Sequence, residues 1–141
     1  MRRVAVLGLA VLAVGVLGSL LPSVISAADS PADRVVVMYF HRTQRCPTCL
    51  KMGSYSEEAV KSGFAEQVKA GTVEFHYVDF QNAKNAKLSS SYDVAGPTLI
   101  VAKVAGNKVA EQKNLKDIWS NAGDKAAFVK YVQTNVKSYL K

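Results

Sequence analysis

Two cysteines stand three positions apart in Cys46-Pro47-Thr48-Cys49, and they are the only cysteines in the 141-residue chain. Two thiols are too few to build a disulfide scaffold or to fill a four-thiolate zinc site. At this spacing they suit reversible thiol–disulfide exchange, provided the tetrapeptide opens a helix. Cys46 is then the cap residue, and Pro47 takes the first helical position, where a missing amide hydrogen costs nothing. The Cys46 sulfur faces the unpaired amides of the first turn, and those donors with the helix dipole favour thiolate over thiol. Arg45, Arg42 and His41 add nearby positive charge that lowers the thiol pKa. Each unit of that lowering is about 1.4 kcal/mol, or roughly 30 mV toward a more oxidising disulfide. Cys46 is expected to be the exposed nucleophile and Cys49 the buried resolving thiol, about 4.5 Å further along one helical face.

Other uses of the pair are open to the same residues. A purely structural bond would close a very short loop, for about 2 kcal/mol. Copper or zinc could be carried by Cys46, Cys49 and a histidine, His41 or His76. A third possibility is a non-catalytic accessory subunit that docks through Trp119 and a hairpin.

The elements that position the cysteines follow from hydrophobic pattern. Arg34 to His41 is a continuous apolar and aromatic run, as in a strand buried on both faces. Helix is expected from about Pro47 to Lys69, with an interruption near Gly53 or Gly63. Val73 to Phe80 reads as a second strand, Asn82 to Tyr92 as a surface helix, and Thr98 to Val104 as a third strand. Gly106-Asn107 marks a hairpin turn into an edge strand, Val109 to Asn114. Asp117 to Ser120 forms a short helical turn. Asp124 caps a last helix whose stripe is Phe128, Val132, Val136 and Leu140. The order β-α-β-α-β-β-α gives an α/β domain, a mixed four-stranded sheet with helices on both faces, over residues 34–141. The first two strands should be parallel and the last two antiparallel.

The N-terminus reads as an address. Met1-Arg2-Arg3 precedes the uncharged apolar run Val4 to Leu21, and small residues at Ser26 and Ala28 suit cleavage after Ala28. Residues 1–28 are therefore expected to be a signal peptide, or an uncleaved anchor, with 29–33 a linker. Either puts the domain outside the cytoplasm, in a periplasmic or other extracytoplasmic space where a disulfide persists.

Composition closes other classes. The net charge of +7 comes with no nucleic-acid module. No glycine-rich loop follows a strand, so no flavin or nicotinamide site is expected. No metal is assigned, and the redox group is the Cys46–Cys49 disulfide itself. Lys103, Lys108, Lys113 and Lys116 read as a solvated, anti-aggregation edge.

Cys-x-x-Cys after a buried strand, then Gly96-Pro97-Thr98 opening a later strand, then the Gly106-Asn107 hairpin, resembles the thioredoxin-like superfamily. That resemblance implies that Pro97 is cis and lies against the cysteines. It also implies that backbone at Gly96, Pro97 and Thr98 binds an extended substrate by strand addition, and that partners are protein thiols or disulfides or a redox partner protein. The acid usual on the first strand is missing from Val35 to Phe40, which leaves His41 or a water as proton acceptor for Cys49. Tyr39-Phe40-His41, Arg45 to Cys49, Tyr55, Asn114-Leu115, Ile118-Trp119, Phe128 and Tyr131 further resemble the small ArsF-type family, described as a nitrophenyl-compound nitroreductase subunit. On that resemblance the chain would be a dithiol partner passing electrons, not the catalytic flavoprotein.

Overall fold

A computed structural model describes residues 33–141. The signal-peptide and anchor readings, and all of the linker but Asp33, fall outside that range. No helix among the described residues is long and apolar enough to cross a membrane.

The elements run β1 (Arg34–His41), α1 (Pro47–Gly63), α2 (Ala65–Lys69), β2 (Val73–Asp79), α3 (Ala86–Ser91) after a 3₁₀ turn, β3 (Thr98–Ala105), β4 (Lys108–Asn114), α4 (Ile118–Asn121) and α5 (Lys125–Tyr139). The four strands form one sheet in the order β2-β1-β3-β4. β1 is parallel to β2 and antiparallel to β3, and β4 returns antiparallel at the edge. This is the mixed four-stranded α/β sheet expected from the sequence, with β1 and β2 parallel and β3 and β4 antiparallel.

β1 is central, and its burial follows from that place. Alternate side chains point to opposite faces. Val35, Val37 and Tyr39 meet Met52, Ala59 and Val60 of α1 and Phe128, Val132 and Val136 of α5. Val36, Met38 and Phe40 join Val78, Ile100 and Ala102 on the other face, under Phe80, Tyr92 and Val94 from the segment around α3. A strand sandwiched in this way must be apolar throughout, as Val35 to Phe40 is.

The long helix expected over 47–69 runs unbroken through Gly53 and breaks at Phe64, after Gly63. A Cβ on Gly63 would stand 2.6 Å from the Gln133 amide nitrogen, and that amide donates to the Ala59 carbonyl at 3.0 Å. The β3–β4 turn places Gly106 at φ +60°, the conformation glycine adopts without penalty. The Asp124 carboxylate caps α5 by accepting from the Ala127 amide at 3.0 Å. Leu140 departs from the expected stripe: it is the C-cap of α5, at the end of the helix beyond the buried Phe128, Val132 and Val136, and is exposed.

Candidate functional site

The cysteine pair lies where a buried strand hands over to a helix. β1 ends at His41, a four-residue lead-in follows, and Cys46 takes the N-cap of α1 with extended backbone (φ −74°, ψ 162°) and Pro47 next to it. The Cys46 sulfur accepts a hydrogen bond from the Cys49 amide at 3.1 Å. Cys46, Pro47 and Thr48 are exposed, whereas Cys49 retains 6% of its exposure. The two cysteines are joined in a disulfide with Cα atoms 5.0 Å apart. The exposed cysteine of the pair therefore stands at the positive end of a 17-residue helix, and its partner is covered.

The lead-in is held to the end of β2. The Thr43 hydroxyl donates to Asp79 at 2.7 Å, and the Thr43 amide donates to the Gln81 side chain at 3.0 Å. Asp79 also accepts from the Gln81 amide at 2.9 Å. These bonds, the Thr43 hydroxyl first, hold the Asp79 carboxyl below its ordinary pKa. Neither arginine of the lead-in forms an ion pair among the described residues. The Arg45 guanidinium sits 5.1 Å from the centre of the Tyr77 ring, and that of Arg42 5.6 Å from the centre of Phe80. His41 is buried, its ring about 6 Å from those of Tyr39 and Tyr77. His41 Nδ1 lies 2.9 Å from the Arg42 carbonyl, an acceptor that requires this nitrogen to carry the proton.

Beneath the cysteines lies a group that the pattern of residue types did not single out. The Tyr39 hydroxyl donates to the Cys49 carbonyl at 2.8 Å. The Tyr77 ring meets Tyr39 edge-on, and the Tyr77 hydroxyl donates to Glu57 at 3.0 Å. Burial pushes the Tyr39 phenol up to about 12 against an opposing pull from Arg45. Tyr77 also rises to about 12, from burial and then from its bond to Glu57. Gly53, one turn along α1, permits this packing. A Cβ there would stand 2.9 Å from Tyr77 and 3.0 Å from Tyr39. The period-2 face Val35-Val37-Tyr39-His41 was the available signal, since it puts Tyr39 under α1.

The two histidines do not converge. His76 pairs in register with Met38 and His41 with Asp79, so they sit on opposite faces of the sheet, and the exposed His76 is bonded to Glu74 at 2.9 Å. No cluster of three or more metal-ligating side chains occurs among the described residues.

Gly96, Pro97 and Thr98 open β3 beside the end of β1, where Thr98 pairs with Phe40. The cis geometry expected at Pro97 is not found. No peptide bond among the described residues is cis. Trans is the intrinsically favoured isomer, and Gly96 has no Cβ to crowd the proline ring, so the chain enters β3 without the cis form. These residues line an open cavity of about 630 Å³ with Tyr92, Asn114 and Trp119, and neither cysteine belongs to its wall. Trp119 is 47% exposed, and its indole nitrogen donates to the Pro97 carbonyl at 3.1 Å. The Thr98 hydroxyl is buried and bonded to the Asn114 side chain. The space beside Gly96 is open, because nothing lies within 4 Å of where its Cβ would be.

Two thioredoxins are among the solved structures similar to this chain. One from Fasciola hepatica shares 25% identity at a TM-score of 0.37, over 57% of this chain and 66% of its own. Another, from Thermus thermophilus, shares 24% identity at a TM-score of 0.42, over 72% of each chain. The chain thus spans about two thirds of the length of the first. No family model matches the chain, and no curated protein is similar to it in sequence.

Proposed function

We propose that the chain is a thiol–disulfide oxidoreductase, or a dithiol electron carrier, that cycles Cys46 and Cys49. The observation that carries this reading is the exposed residue Cys46 at the N-cap of α1, bonded to a covered Cys49. Attack on the disulfide is open from one side only. A partner thiolate bonds to the Cys46 sulfur, the Cys46–Cys49 bond breaks, and Cys49 leaves as thiolate. A second partner thiolate then attacks the partner sulfur and frees Cys46, so the partner loses two electrons and the chain gains them. In the reverse direction Cys46 attacks a partner disulfide, and Cys49 displaces the partner from Cys46. The amide that already points at the Cys46 sulfur supports the thiolate in both directions.

Export, expected from residues 1–28, is part of the same proposal, because an extracytoplasmic space would permit the disulfide state to persist. The substrate contact at Gly96, Pro97 and Thr98 is part of this proposal, with open space beside Gly96. On the resemblance to the ArsF-type family, the chain would pass electrons as the dithiol partner of a separate catalytic flavoprotein.

The reading is tested by alkylation of the reduced chain across pH and by trapping with Cys49→Ala in the native compartment. Cys46 should alkylate with a midpoint well below the ordinary thiol value of about 8.5, and the variant should accumulate mixed disulfides through Cys46. An ordinary thiol profile together with an empty trap would remove the proposal.

A further inference from the structure

The segment that carries the disulfide, Phe40 to Ser56, contains Arg42, Arg45 and Lys51 and no carboxylate. Arg42 and Lys51 are exposed and Arg45 is half-buried. None of the three forms an ion pair among the described residues. Aromatic rings fix the two guanidinium groups, Arg45 over Tyr77 and Arg42 over Phe80. Stacking of this kind orients a cation and leaves its charge in place. The carboxylates that approach are already engaged. Asp79 holds Thr43 and Gln81, and Glu57 holds Lys61 and Tyr77. Asp79 offsets part of the charge, and the α1 side of the disulfide stays net positive.

We propose that the Cys46–Cys49 site selects partners by charge, and takes disulfides and thiols flanked by carboxylates, with Arg42, Arg45 and Lys51 as the rim that draws them in. This rests on the redox reading above. The exchange spreads one negative charge over three sulfurs, and a pinned cation beside Cys46 favours both the approach of an anion and that transition state. Fixed charges of one sign around a site raise association rates by roughly ten- to a thousandfold, and salt removes the gain.

The test follows oxidation of the fully reduced chain by three disulfides at neutral pH: anionic glutathione disulfide, neutral 2-hydroxyethyl disulfide and cationic cystamine. The ratio of the glutathione disulfide rate to the cystamine rate should fall about tenfold between low salt and about 0.5 M salt. At low salt it should fall by a similar factor in the triple variant Arg42→Gln, Arg45→Gln, Lys51→Gln. A changed Cys46 pKa in that variant moves all three rates together, so the ratio isolates recognition, and the salt series needs no variant. A fourth disulfide, on a peptide with glutamates beside its cysteine, separates the sources. A peptide faster than glutathione disulfide assigns the rim to acidic protein segments, and a slower one to small anionic thiols. A ratio indifferent to both salt and substitution, with all the disulfides reacting, overturns the charge selection and leaves the redox reading standing. Failure of every disulfide to react overturns both.

Discussion

The Tyr39 hydroxyl reaches from the central strand to the first turn of α1 and donates to the Cys49 carbonyl at 2.8 Å. It ties the covered cysteine to the most buried strand of the sheet, from a side chain that is itself fully buried. Tyr39→Phe keeps the ring and deletes this one bond. The expected loss is about 1 kcal/mol of stability, read as a lower urea midpoint with unchanged slope. In the variant, displacement of a Cys46 adduct by Cys49 should also slow, since Cys49 is less firmly placed. An unchanged midpoint and an unchanged displacement rate would show that the bond holds nothing.

Gly53 offers a substitution whose sign runs against helix propensity. In an exposed helix, alanine is better than glycine by about 1 kcal/mol. Here the added methyl meets Tyr77 at 2.9 Å and Tyr39 at 3.0 Å, and the Tyr39 ring has no free space into which to move. Overpacking of a filled core costs about 1–3 kcal/mol. Gly53→Ala is therefore expected to lower the urea midpoint. A raised midpoint would mean that the rings yield and propensity decides.

These two residues show where the sequence stops being legible. The run Val35 to Phe40 reads as a strand covered on both faces because every side chain in it is apolar or aromatic, and no exposed strand needs that. The cap at Cys46 reads equally well, since Pro47 is suited to the first helical position and to few others. The contact of Tyr39 with Cys49 is different. It depends on how α1 crosses β1, and that crossing is set by long-range packing of Met52 and Val60 against α5 and by the absence of a side chain at Gly53. The Gly96–Pro97 isomer is illegible for a related reason: two states separated by under about 1 kcal/mol are decided by surroundings. The capping of Asp79 by Thr43 joins residues 36 positions apart, and no local pattern carries it.

Alkaline pH should weaken the fold through the same aromatic pair. Tyr39 and Tyr77 have pKa values raised from 10.0 to about 12, burial being the largest cause for each. A phenol that keeps its proton longer in the folded chain contributes its full stabilisation below the unfolded value. That contribution is lost as the pH climbs through the interval from about 10 to about 12, because the unfolded chain has released protons that the folded chain retains. The urea midpoint measured across this interval should fall steeply, and Tyr39→Phe should flatten the fall. A midpoint constant up to about pH 12 would contradict the burial of both phenols.

Gly96 separates contact with a partner from chemistry at sulfur. Its backbone has φ outside the left-handed region, and a Cβ would touch nothing within 4 Å. Residues before proline favour extended backbone, which a β-branched side chain also accepts. Gly96→Val should therefore fold with stability within about 0.5 kcal/mol of the parent. The new side chain stands in the open space beside the Gly96–Thr98 segment. If that segment binds an extended partner, reaction with a peptide disulfide should slow about tenfold, the loss of roughly one well-formed backbone contact. Reaction with 2-hydroxyethyl disulfide, too small to reach the segment, should be unchanged. Equal rates with the peptide in parent and variant would remove Gly96 from the binding surface, and equal slowing with both disulfides would point to displacement of the cysteines instead.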